Sequence, residues 1–151
     1  NTTFIFTMPN SDLKSDFIKS EILKFCKKNK DCYAFKSMGT KKYFSCIKVC
    51  DLVLGNSSSG ILEAPTLKTA TINIGHRQNG RVQAKSIINS EYSSKKIYDS
   101  IKIALSSSFK KKIKKIKNPY YRKDTAKNIV KIIEKNILYK PNVTKKFYDI
   151  K

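Results

Sequence analysis

The sequence predicts an α/β domain in which a parallel sheet is covered by helices. Short β-branched and aromatic runs alternate with segments whose apolar residues recur at helical spacing, and the connections between them are only a few residues long. At 151 residues the chain is long enough for one domain with a substantial core, so residues 1–151 are read as a single domain.

Thr3 to Thr7 reads as a buried strand stopped at Met8-Pro9-Asn10. From Ser11 the positions Leu13, Phe17, Ile18, Ile22 and Phe25 fall on one helical face, with Ser11 or Asp12 available to cap the first turn. Tyr33 to Lys36 is a second strand. Tyr43, Phe44, Ile47 and Cys50 then mark one face of a helix that starts near Thr40. Asp51 to Gly55 is a third strand, Ser58 to Leu67 a third helix and Thr71 to Ile74 a fourth strand. After a loop around Gly75 to Gly80, Ser86 to Ile88 reads as a weak strand. A helix follows from about Ser94 on Ile97, Ile101, Ala104 and Leu105, and Phe109, Ile113 and Ile116 continue its spacing among lysines. Pro119 disfavours helix at Asn118. The last helix runs from about Asp124 to Leu138 on Ala126, Ile129, Val130, Ile133 and Ile137.

No run approaches the roughly 18 to 20 apolar residues that a membrane-spanning helix needs, and no basic-then-apolar leader precedes the first strand. The chain therefore reads as soluble and cytoplasmic, without a membrane partner. It opens on Asn1 and runs almost at once into Phe4-Ile5-Phe6, which reads as a fragment lacking its natural start. Cys26, Cys32, Cys46 and Cys50 lack Cys-x-x-Cys spacing and histidine partners, so they are expected to be buried thiols, with no metal site. The formal charge of +21 raises the possibility of a polyanion partner. Its distribution argues otherwise. Lysine is scattered through every segment, and arginine occurs only at positions 77, 81 and 122. That pattern reads as compositional drift with lysines on solvated faces, and no nucleic-acid partner is expected.

Ligands of open α/β sheets sit at the carboxyl ends of the strands. After the third strand comes Gly55-Asn56-Ser57-Ser58-Ser59-Gly60, small residues that bring hydroxyls and backbone N–H groups to a helix start, a chemistry suited to phosphate. A capped helix start without a ligand uses the same residues. Glu63 lies one turn on, where a carboxylate can accept from vicinal ribose hydroxyls or simply face the helix dipole. After the fourth strand comes Gly75-His76-Arg77-Gln78-Asn79-Gly80-Arg81, which keeps two arginines in a lysine-saturated chain. A guanidinium fork engages two oxygens at once, which lysine cannot do.

Gly55-Asn56-Ser57-Ser58-Ser59-Gly60-Ile61-Leu62-Glu63-Ala64-Pro65, followed by Thr71-Ile72-Asn73-Ile74-Gly75-His76-Arg77-Gln78-Asn79-Gly80-Arg81, resembles the hydrolysing UDP-N-acetylglucosamine 2-epimerases. Met8-Pro9-Asn10-Ser11-Asp12, Phe35-Lys36-Ser37-Met38-Gly39 and Asn118-Pro119-Tyr120 resemble other loops of that family, so the resemblance covers essentially the whole chain. It implies a Rossmann-like parallel sheet with helices on both faces, forming the C-terminal, UDP-binding half of a glycosyltransferase-B-like fold whose N-terminal half is absent. By the same resemblance Ser57, Ser58 and Gly60 would hold the diphosphate and Glu63 the ribose. Met38 would meet uracil through its backbone, and Asn10 and Arg77 would complete the site.

The implied partners are UDP and a UDP-N-acetylhexosamine, with no cofactor, in a full-length protein that forms a homo-oligomer. The implied reaction expels UDP by anti elimination and then adds water to the glycal-like intermediate, releasing the 2-epimeric free sugar. Its acids and bases come mostly from the other half, so no catalytic residue is assigned here; His76 is expected to be a solvent-facing loop residue. The substrate alternatives are UDP-N-acetylglucosamine and its diacetylated 6-deoxy relative, and a stand-alone nucleotide-binding module is the alternative to an enzyme. Two departures from the family pattern are visible. Ala70 replaces a proline, and Tyr121-Arg122-Lys123-Asp124 replaces a glycine-bearing turn.

Overall fold

The computed structural model describes residues 2–10 and 14–138. Two compact units divide the chain, Asn1–Asn118 and Pro119–Lys151. In the first, strands and helices alternate as β1 (Phe4–Thr7), α1 (Ser15–Lys28), β2 (Cys32–Phe35), α2 (Gly39–Val49), β3 (Leu52–Gly55), α3 (Ser59–Leu62), β4 (Ala70–Ile74), β5 (Ile87–Ser90), α4 (Ser94–Leu105) and α5 (Ser107–Lys114). In the second, the described residues form α6 (Thr125–Leu138), on which Ile129, Val130 and Ile133 are all about half exposed. Ser11, Asp12 and Leu13, expected at the start of α1, lie outside the described residues, as does the side chain of Ile137.

Every strand pairing is parallel, as the alternation of elements requires. The strands form two ladders, β1-β2 and β3-β4-β5. Helices cover both faces of the second. Ala70 and Ile72 on one side of β4 form a buried cluster with Ala104 of α4 and Ile113 of α5, flanked by Leu52, Ile88, Ile101 and Phe109. Thr71, pointing the opposite way by the two-residue period of a strand, meets α3 by donating from Oγ1 to the Gly60 carbonyl at 2.9 Å. Thr69 Oγ1 donates to the Ile47 carbonyl at 2.8 Å, tying the end of α2 to the entry of β4.

Three sequence expectations are corrected. β1 is not buried: Phe4 and Ile5 are each 41% exposed. The reason is that β1 has β2 as its ladder partner and α1 as its cover. Phe4 and Phe6 turn toward Phe25 of α1, with ring centroids 5.5 and 6.0 Å away, which leaves the Ile5 face open. The third helix does not run to Leu67; α3 ends at Leu62, and turns continue to Lys68. Pro65 has no N–H to give the Ile61 carbonyl, so the helical ladder cannot pass it. The strand expected at Ser86 to Ile88 runs instead over Ile87–Ser90, in register with Thr71 to Ile74.

The cysteines divide into pairs. Cys26 and Cys32 form a disulfide, against the expectation of four thiols. The three-residue connection from α1 to β2 lays the last turn of the helix beside the first residue of the strand, with Cα atoms 4.9 Å apart, within disulfide reach. Cys46 and Cys50, one turn apart along and just beyond α2, remain thiols with Sγ atoms 3.7 Å apart. Burial, reinforced by the hydrogen bond with Cys46, pushes the Cys50 thiol up to about 11. A raised acid pKa keeps the folded state protonated where the unfolded chain ionises, so this group withdraws stability as pH climbs from about 9 toward 11. A thiol reagent at pH 8 is expected to label Cys50 at least tenfold more slowly than a small-molecule thiol of ordinary pKa, as read by mass spectrometry.

The densest run of lysines, Lys110-Lys111-Lys112 and Lys114-Lys115, follows the solvated-face expectation. Lys111, Lys112 and Lys114 are exposed on α5, while Phe109 and Ile113 of the same helix pack inward. Lys110 pairs with Asp51 at 2.6 Å. Among the described residues, no group of three or more His, Cys, Asp or Glu side chains is placed to hold a metal ion, and no helix is long and apolar enough to cross a membrane.

Candidate functional site

Parallel strands deliver their following loops to one end of a ladder, and that geometry groups the residues singled out from sequence. At the carboxyl end of the first ladder, the Met8 N–H donates to the Phe35 carbonyl at 3.1 Å, so the loops after β1 and β2 leave side by side. Asn10 is exposed in the first of these loops. Met38 is half-buried in the second, at the residue immediately before α2. Gly39 follows with φ of 65°, a left-handed conformation that glycine adopts without strain, and this lets the chain turn directly from loop into helix.

At the carboxyl end of the second ladder, Gly55 pairs with Asn73 at the end of β3. Gly55 has φ of 144°, and the chain then coils into the Ser/Gly loop. Several amides there are consumed locally. Ser59 N–H donates to Ser57 Oγ at 3.3 Å, and Gly60 N–H donates to the Ser57 carbonyl at 3.2 Å. The Ser58 carbonyl accepts from the N–H groups of Ile61 and Leu62, while its hydroxyl makes no capping bond. No acceptor for the Ser57 or Ser58 N–H is present among the described residues. Because α3 is four residues long, its summed dipole is small, and any anion here would depend on these individual N–H and hydroxyl donors. Gly60 is fixed by packing: a Cβ there would lie 2.6 Å from Thr71 Cγ2.

Glu63 sits immediately after α3, half-buried, and its Oε2 is buried with no hydrogen-bond partner among the described residues. Asn118 holds this turn from outside. Its Nδ2 donates to the Leu62 carbonyl and to Thr66 Oγ1, both at 2.7 Å, bracketing Glu63 in sequence.

Arg77 is exposed in the loop after β4, the strand that pairs with β3, so it emerges at the same end as the Ser/Gly loop. The two loops are joined directly, since Gln78 Nε2 donates to the Asn56 carbonyl at 2.8 Å. His76 is exposed, with its ring edge-to-face against Tyr92 at 6.2 Å between centroids.

Sequence reasoning missed three supporting residues. Tyr43 was counted as apolar helix surface, yet its hydroxyl donates to Ser59 Oγ at 2.9 Å and so ties α2 to the Ser/Gly loop. Gln78 and Asn118 lay inside recognised motifs without an assigned role. The available signal was composition: an amide side chain at the foot of a short loop is suited to bonding a neighbouring backbone carbonyl.

A parallel α/β domain of the Rossmann-like kind, with hydroxyls, a carboxylate whose Oε2 has no partner among the described residues and an arginine-bearing loop at its strand ends, is the class of protein these features define. The particular family comes from similarity. Residues 1–134 match the family described as UDP-N-acetylglucosamine 2-epimerase, and the chain belongs to that family. It is 40% identical over 147 residues to the polysialic acid biosynthesis protein P7 of Escherichia coli, covering 97% of this chain and 37% of that protein. Over 92 residues it is 42% identical to a GDP/UDP-N,N'-diacetylbacillosamine 2-epimerase (hydrolyzing) of Campylobacter jejuni, covering 60% of this chain and 24% of the relative. Over 98 residues it is 37% identical to a UDP-N-acetylglucosamine 2-epimerase of Neisseria meningitidis, covering 65% and 26%. The chain thus spans little more than a third of its relatives' length at most.

Proposed function

We propose that this chain is the UDP-binding, C-terminal half of a hydrolysing UDP-N-acetylglucosamine 2-epimerase, whose whole form converts UDP-N-acetylglucosamine and water into N-acetylmannosamine and UDP. The observation that carries the reading is Glu63. Its Oε2 is buried with no donor among the described residues, a costly state for a carboxylate oxygen, and vicinal ribose hydroxyls would supply the donor. In this reading the N–H and hydroxyl groups of Ser57 and Ser58 receive the diphosphate at the helix start near Gly60, and Arg77 adds a planar fork to its oxygens. Met38 contacts uracil through its backbone, and Asn10 completes the nucleotide site.

These groups hold and stabilise the leaving UDP. Its departure forms the glycal-like intermediate, and addition of water returns the sugar as the 2-epimer. The acids and bases for the two proton transfers belong to the remainder of the protein, so the 151-residue chain by itself binds UDP without turnover. The whole enzyme works in the cytoplasm as a homo-oligomer, without nucleic-acid or membrane partners, and its product feeds sialic acid synthesis. The similarity to the Campylobacter relative favours one second reading, in which the sugar is N,N'-diacetylbacillosamine on the same UDP.

Calorimetric titration with UDP tests the assignment of residues. Glu63→Ala and Arg77→Ala are each expected to weaken UDP binding at least tenfold, since each removes hydrogen bonds that involve a charged group. Affinities within twofold of the unmodified chain would contradict it.

A further inference from the structure

Resting on the nucleotide reading, we propose that Gln78 is the positioning residue of the phosphate-binding loop, setting the orientation of the Asn56–Ser57 peptide and with it the Ser57 N–H. Gly55, at φ of 144° and with open space where a Cβ would stand, gives the chain entering the loop a backbone freedom that no side chain restrains. Gln78 removes that freedom. Its side chain is 3% exposed, and its Nε2 donates to the Asn56 carbonyl at 2.8 Å. The carbonyl of residue 56 and the N–H of residue 57 share one rigid trans plane and point in opposite directions. Anchoring the carbonyl on Gln78 therefore aims the Ser57 N–H away from the β4 loop.

That N–H has no acceptor among the described residues, which is the state a ligand donor must be in. The same bond fixes the spacing between the Ser/Gly loop and Arg77, because Gln78 is the next residue along the loop. Among the described residues the Oε1 of Gln78 is buried with no hydrogen-bond partner, so the bond to the Asn56 carbonyl is the one that holds the amide. A preorganised donor needs no reorganisation when phosphate arrives, and that is where the affinity gain arises.

The test uses two variants of the full 151-residue chain and UDP titrated by calorimetry at pH 5 and pH 8. Gln78→Met keeps the volume and removes the donor; its UDP affinity is expected to fall on the order of tenfold at both pH values. Gln78→Glu at pH 8 carries a carboxylate that cannot donate to a carbonyl and repels phosphate, so its deficit is expected to exceed that of methionine. Burial raises the pKa of such a carboxyl. At pH 5 the neutral acid donates again, and the deficit relative to the unmodified chain is expected to shrink at least threefold. Every other ionisable group, the phosphates of UDP included, is common to both proteins, so the ratio of affinities isolates position 78.

A Gln78→Met chain that binds UDP within twofold of the unmodified one overturns the proposal. A Gln78→Glu deficit that is the same at both pH values does so too, and it decides alone if the methionine variant loses its cooperative melting transition. An unmodified chain that fails to bind UDP removes the nucleotide reading, and the role of Gln78 with it.

Discussion

Truncating Ile72 to alanine is expected to cost about 3 kcal/mol of folding free energy, within the usual range for a buried aliphatic side chain cut to alanine. Ile72 is fully buried at the middle of β4, the central strand of the three-stranded ladder, and packs in the cluster with Ala70, Ala104 and Ile113. Two of those neighbours are alanines, which cannot reach across to refill the space. The transfer and cavity costs therefore both apply. Urea denaturation followed by circular dichroism reads the effect as a lowered midpoint at unchanged slope. Ile103, on α4 but 52% exposed, is the matched control, and its truncation is expected to change stability by no more than roughly 0.5 kcal/mol.

Replacing Gly60 by alanine is expected to cost about 2 kcal/mol, by overpacking. The new methyl would stand 2.6 Å from Thr71 Cγ2. Thr71 is 2% exposed, and its rotamer is held by the bond from Oγ1 to the Gly60 carbonyl, so it cannot swing away without breaking that bond inside the core. Thr71→Ser keeps the hydroxyl and deletes the clashing methyl. Combined with Gly60→Ala, it is expected to recover most of the loss, giving a strongly non-additive double-mutant cycle. Additive effects in urea melts would show that the approach of α3 to β4 is not what demands glycine.

The elements of the fold were legible because their signals are local. Proline and glycine punctuation, together with a switch between periods of two and about 3.6, marked each of the five strands within two residues, while the end of α3 and the break between α4 and α5 at Ser106 were missed. Burial was less legible. Phe4-Ile5-Phe6 reads as a core strand, but exposure depends on what lies across each face, and one face of that ladder is open. The end of α3 was marked by Pro65, a signal that the reading of one helix from Ser58 to Leu67 passed over. Cys26 and Cys32 carry no pairing signal in their spacing; their approach follows from how tightly α1 turns into β2.

The candidate site divides the same way. Ser57, Ser58, Glu63 and Arg77 stood out because hydroxyls, a carboxylate and a rare arginine follow strands. The side chains that fix them, Tyr43, Gln78 and Asn118, act across 16, 22 and 56 residues of sequence, through bonds that no local pattern encodes. Met38 and Asn10 lie at the end of the first ladder, and the Tyr43 bond to Ser59 carries the α2 connection between their region and the Ser/Gly loop.

The central claim is that this chain holds UDP at the ends of its strands, and titration of the unmodified chain with UDP tests it most directly. One saturable site filled by millimolar UDP or less is expected, with backbone amide resonances of Ser57, Ser58 and Glu63 among those that shift in the nitrogen-proton NMR spectrum. Absence of heat and of shifts at millimolar UDP would contradict it.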